Sequence, residues 1–121
     1  MILSVALPRM NSDMRSAVVE ALHGAEGSLL QPGAKLIDLK VDLSIAVAHD
    51  CPPVTYHRIA LRDRAWVRRV LVAVGEEIPV GAPLLILSTD PEESLDAAGG
   101  RAARTSVAGI MHQTDWWSME G

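Results

Sequence analysis

The chain repeats itself. The stretch Gly33-Ala34-Lys35-Leu36, followed by Asp38-Leu39-Lys40-Val41-Asp42, is echoed by Gly81-Ala82-Pro83-Leu84 and then Leu87-Ser88-Thr89-Asp90. One constant spacing aligns Gly33 with Gly81, Ala34 with Ala82, Leu36 with Leu84, Leu39 with Leu87 and Asp42 with Asp90. Run backwards, it brings Val18 onto Trp66, Val19 onto Val67, Leu22 onto Val70, Gly27 onto Gly75 and Leu30 onto Ile78. No gap interrupts the matched halves. Two copies of one β unit in 121 residues suit a closed pair better than a solenoid. The expected fold is all-β, a flattened barrel or sandwich of two small antiparallel sheets related by a pseudo-twofold axis.

Local signals agree. Ile2 to Leu7 reads as a strand ended by Pro8, and Asn11-Ser12-Asp13 is turn chemistry. Ser16 to Leu22 has helical propensity, but its repeat partner Arg64 to Val70 is β-rich, so strand is preferred. Pro32-Gly33 marks a turn, and Lys35 to Val41 and Ser44 to Ala48 read as strands joined by a tight hairpin at Val41-Asp42-Leu43-Ser44. Trp66 to Val74 alternates like a half-buried strand, Gly75 to Gly81 is a turn region, and Leu84 to Leu87 is a strand. Val54 to Leu61 is either an extra strand or an ordered loop. The chain has no phenylalanine and is rich in Val, Leu, Ile and Ala, which suits thin sheets.

Charge and cysteine content narrow the function classes. The net charge of −4 argues against a nucleic-acid grip, which needs clustered Lys and Arg. The lysines are Lys35 and Lys40; Arg58, Arg62, Arg64, Arg68 and Arg69 form a loose group read as a solvated face. The single cysteine, Cys51, permits no internal disulfide and fits a reducing compartment. No apolar run reaches transmembrane length, and the N-terminus lacks a signal-peptide pattern. A soluble cytoplasmic protein, not bound to a membrane, is expected.

With Pro8, Met10, Met14, Gly27 and Gly33 at their spacings, residues 2–90 resemble a lipoyl domain of the acyltransferase component of 2-oxoacid dehydrogenase complexes, a fold shared with biotinyl domains. The resemblance continues through Leu36, Leu39 and Asp42. It resumes at Val70-Leu71-Val72, Gly75, Val80-Gly81-Ala82-Pro83-Leu84 and Leu87. It implies a lipoyl-like barrel-sandwich hybrid with a cofactor-bearing lysine at a hairpin tip. Where the family has Asp-Lys-Ala, this chain has Asp42-Leu43-Ser44. Leucine offers no amine to attack an acyl-adenylate, so no lipoyl or biotinyl cofactor is expected. Lys40 is a weak alternative, because it sits on the strand rather than at the tip. A second departure is an apparent insertion at about 49–64, which carries His49, Asp50, Cys51, Tyr56, His57, Arg58 and Asp63.

The remaining features divide between partner binding and bland packing. His49, Cys51 and His57 match no zinc spacing, so no metal is expected; a Cys–His nucleophile lacks an identifiable orienting group. His23 and His112 are isolated. Residues 91–106 read as a flexible linker, and 107–121 as a C-terminal tail that docks on its own domain or on a partner. Trp116, Trp117 and Met119 in that tail, with Leu43 at the hairpin, are the candidate partner contacts. The resulting expectation is a non-enzymatic accessory or scaffold subunit of a larger assembly, 2-oxoacid-dehydrogenase-like or acyl-transferring by resemblance. The alternatives are a carrier modified at Lys40 and a small enzyme using the inserted loop. Self-association stays open.

Overall fold

Alternation of apolar and polar residues, punctuated by glycine, gives strands wherever the chain is described. The computed structural model describes residues 1–10, 14–42, 54–95 and 100–110. These form β1 (Ile2–Ala6), β2 (Ser16–Leu22), β3 (Leu29–Leu30), β4 (Lys35–Asp42), β5 (Val54–Leu61), β6 (Ala65–Val70), β7 (Glu77–Pro79), β8 (Pro83–Ser88), β9 (Arg101–Ala102) and β10 (Thr105–Ile110). Among the described residues there is no helix. Two five-stranded sheets result, in the orders β3-β6-β8-β1-β9 and β10-β5-β4-β2-β7. All pairings are antiparallel except β1 with β9. The sheets do not close into a barrel; they form a flattened sandwich. Leu3, Leu36, Leu39, Ile59, Leu61, Val67, Leu84 and Leu87 are fully buried between them. Each such side chain contributes about 1.5–3 kcal/mol relative to exposure.

The sequence repeat is a repeat of register. β2 pairs with β4 through Val18↔Lys40, Val19↔Leu39, Ala21↔Asp38 and Leu22↔Ile37. β6 pairs with β8 through Trp66↔Ser88, Val67↔Leu87, Arg69↔Ile86 and Val70↔Leu85. These are the same pairs displaced by the repeat spacing, and both ladders carry their bulge at the same step. The short strands cross over in matching fashion: Leu29 and Leu30 pair with Trp66 and Ala65, while Glu77 and Ile78 pair with Val18 and Ala17. The glycine pairs hold the turns. Gly27, Gly33, Gly75 and Gly81 have φ of 88°, 97°, 91° and 90°. That left-handed region costs other residues about 1–2 kcal/mol. Gly27 N–H donates to Val67 O and Gly75 N–H to Val19 O, again a symmetric pair.

Several expectations change. Val54–Leu61, assigned to an inserted segment, is a core strand: β5 stands to β4 as β1 stands to β8. Ile59↔Ile37 and His57↔Leu39 answer Val5↔Leu85 and Leu3↔Leu87. Of the tight hairpin expected at Val41–Ser44, Val41 and Asp42 belong to β4, while Leu43 and Ser44 lie outside the described residues. Val41 and Asp42 pair with Thr55 and Val54, and both edges of β4 are taken, by β2 and β5. The strand expected at Ser44 to Ala48 lies outside the described residues. The strand expected over Trp66 to Val74 stops at Val70, and Leu71 N–H bonds Leu84 O as the chain turns away.

The stretch read as a flexible linker contains β9 and the start of β10. At Gly100 the small residue serves close approach. A Cβ at Gly100 would lie 2.8 Å from the Ile2 carbonyl oxygen, which only glycine avoids. The turn between β9 and β10 is clamped by Asp63, whose carboxylate accepts two bonds from Arg101 at 3.1 Å and one from the Arg104 N–H at 2.8 Å. These bonds, Arg101 first, hold the Asp63 carboxyl below its ordinary value. One arm thus adds an edge strand to each sheet.

Candidate functional site

The two sheets share a fold but not a surface. On β4, Leu39 and Val41 face the core, so Asp38, Lys40 and Asp42 face outward. Asp38 is nevertheless only 8% exposed. Its direct neighbour on β5 is Arg58, and His23 follows the end of β2. Arg58 donates from Nε to Asp38 Oδ1 at 2.8 Å and from Nη2 to Oδ2 at 3.0 Å. This is the bidentate fork that suits a carboxylate best. His23 Nε2 lies 3.0 Å from Asp38 Oδ2. Because a carboxylate only accepts, the Nε2–H of His23 is the donor. Burial pushes the Asp38 carboxyl up, but the bonds and charges of Arg58 and His23 outweigh it and leave the group below its ordinary value. The carboxylate is committed to a three-strand clamp and is not a free base.

Lys40 and Tyr56 continue this face. They are cross-strand partners in a row running Val18, Lys40, Tyr56, Ile110 over β2, β4, β5 and β10. Lys40 is half-buried in mid-strand with a neighbour on each side. That is unlike a projecting hairpin lysine, so the geometry disfavours Lys40 as an attachment point. Asp42 ends β4 and is exposed. Leu43, Ser44, His49 and Cys51 fall in the connection between β4 and β5, and Trp116, Trp117, Met119 and His112 follow β10; all lie outside the described residues.

His57 is not on an exposed loop. It faces inward opposite Leu39, with Nε2 2.9 Å from Thr55 Oγ1, and burial lowers its pKa. The imidazole thus sits on the core side of β5 and is hydrogen-bonded within its own strand. Among the described residues no three His, Cys, Asp or Glu side chains gather as metal ligands. The arginines do not form one face. Arg58 clamps Asp38, Arg62 donates to Ser106 Oγ at 3.1 Å, and Arg64 lies 5.2 Å from the Trp66 ring centroid. Arg68 donates to the carbonyls of Asp90 and Glu93.

The sequence reading missed the Asp38–Arg58–His23 clamp. Its members are dispersed along the chain, and His23 in particular looked isolated. Only the register of β4 on β5 reveals it, by setting Asp38 opposite Arg58. At the equivalent positions of the other sheet stand Ile86 and Ser4. No helix among the described residues is long and apolar enough to cross a membrane. Comparison of the chain with protein-family profiles, characterised proteins and solved structures gave no match.

Proposed function

We propose that this chain is a non-enzymatic, lipoyl-like accessory or scaffold subunit of a larger enzyme assembly, with no lipoyl group of its own. By the same resemblance the assembly is 2-oxoacid-dehydrogenase-like or acyl-transferring. The observation that supports the reading is the duplicated sandwich; the altered attachment site is what the resemblance adds. A register-matched repeat is retained, while Leu43 occupies the position of the family's lysine and Lys40 is held in mid-strand. The described titratable side chains support it further, since the most buried of them, Asp38, is engaged in a clamp. In this reading Leu43, Trp116, Trp117 and Met119 supply partner contacts, and the protein works in the cytoplasm.

Intact-mass measurement after co-expression with lipoate and biotin ligases tests the missing cofactor. The native chain should keep its unmodified mass, and a lipoyl or biotinyl increment on it would refute the proposal. Leu43→Lys should gain such an increment if the attachment geometry persists. Native purification tests the scaffold role: the chain should emerge with an enzyme subunit, and a chain that emerges alone defeats it.

A further inference from the structure

A β-sandwich with two open sheets has four edges, and three are short. β3 and β9 have two residues each, and β7 has three, including Glu77 and Pro79. Short length, charge and proline are the usual protections of an edge. The fourth edge, β10, has none of them. Thr105-Ser106-Val107-Ala108-Gly109-Ile110 contains no charged residue and no proline. Its pairing with β5 runs through all six residues without a bulge. Four of the six residues are exposed, and Val107 is 40% exposed. Among the described residues β10 is the outermost strand of its sheet, and none of them pairs with its far side.

We propose that β10 is a self-association edge, on which a second copy of this chain pairs antiparallel to form a twofold dimer with one continuous sheet. The self-compatibility of the strand selects this occupant. A twofold axis perpendicular to the sheet must set residues of the same face opposite each other, centred on Val107 or on Ala108. Either register opposes only small, neutral or apolar side chains, drawn from Thr105, Ser106, Val107, Ala108, Gly109 and Ile110. No like charges meet, which is the condition a strand must satisfy to pair with itself. Gly109 adds no obstruction, since a Cβ there would meet nothing within 4 Å. A single six-residue edge buries much less than a standard interface, so the dimer is weak and concentration-dependent. The inference is independent of the proposed scaffold function.

Sedimentation velocity on the full chain over a micromolar-to-millimolar series is the test, with amide hydrogen exchange at each end of the series. The expected result is a reversible monomer–dimer equilibrium in which the amides of Thr105–Ile110 gain protection as concentration rises. Val107→Lys and Val107→Glu, at an exposed position, should each raise the dissociation constant about tenfold or more, since the two like charges then lie directly opposite in the register centred on Val107 and diagonally adjacent in that centred on Ala108. An equimolar mixture of the two should recover association. A chain that stays monomeric throughout overturns the proposal, whether residues 111–121 or nothing covers the edge. So does a dimer that both variants form unchanged.

Discussion

The outer faces of β4 and β8 occupy equivalent places in the two halves and have almost nothing else in common. β4 presents Asp38 and Lys40, with Arg58 and Tyr56 beside them on β5. β8 presents Ile86 and Ser88 at the matching positions, with Ser4 and Ile2 beside them on β1. Ser88 is buried beneath the following turn, where its Oγ donates to Glu93 Oε1 at 2.8 Å and accepts from the Asp90 N–H at 3.0 Å. The inner faces, by contrast, match leucine for leucine at Leu36 and Leu84 and at Leu39 and Leu87. The fold is therefore specified by inward apolar residues and turn glycines. The outward positions are free to carry other chemistry, and among the described residues the β4 face uses that freedom for an ion-pair clamp where the matching β8 face does not.

Equivalence of the inner faces is the part most exposed to disproof. Leu39→Ala and Leu87→Ala each empty a fully buried position. Each should cost about 2–5 kcal/mol in denaturant unfolding, with similar values for the two. A large disparity would mean that one half carries the core. The outer faces should behave in the opposite way. Arg58→Ala removes two bonds to a buried carboxylate and should cost about 1–3 kcal/mol, toward the lower end because Arg58 is partly exposed. Ser4→Ala, at the matching place, should stay within about 0.5 kcal/mol. The double variant Asp38→Ile with Arg58→Ser copies the other sheet and should regain most of what Arg58→Ala loses, because an apolar replacement leaves no unpaired charge. If it instead falls below Arg58→Ala, the clamp is needed for the sheet itself.

The turns come next. Gly33→Ala and Gly81→Ala meet no atom within 4 Å, so their cost is backbone strain alone, about 1–2 kcal/mol each, read from the same unfolding curves. Equal losses would confirm that the turns are duplicates in energy as well as in shape.

What the sequence disclosed follows the same division. The repeat predicted both sheets because Gly27, Gly33, Leu36 and Leu39 recur at fixed spacing, and backbone register obeys those residues. β5 was obscured because its inward residues include Thr55 and His57 among Ile59 and Leu61, which breaks the apolar alternation. β9 and β10 were obscured because their small side chains, suited to close strand packing, have the composition of a linker. The Asp38–Arg58–His23 clamp was invisible because it depends on which strand lies next to which, and linear spacing does not encode that.

His57 gives the last and smallest contrast. Its counterpart in the other half is Leu3, so one position of the shared core holds an imidazole where its twin holds an aliphatic chain. Burial holds the His57 pKa below the ordinary histidine value in the folded state. The unfolded chain then binds more protons than the folded one between the two values. Stability from this group is complete above the unfolded pKa and is lost as pH falls through that value towards the folded pKa. Asp38 acts lower on the scale: its carboxyl is held below the ordinary carboxylate value, so its stabilising contribution is lost only as pH falls through the acidic carboxylate range. The two windows are separate, so unfolding free energies measured from neutral to mildly acidic pH isolate the histidine. His57→Leu, which copies Leu3, should flatten the profile in that window and leave the more acidic loss untouched. An unchanged slope would assign the neutral-pH titration to another histidine and would make the two core positions energetically alike despite their different side chains.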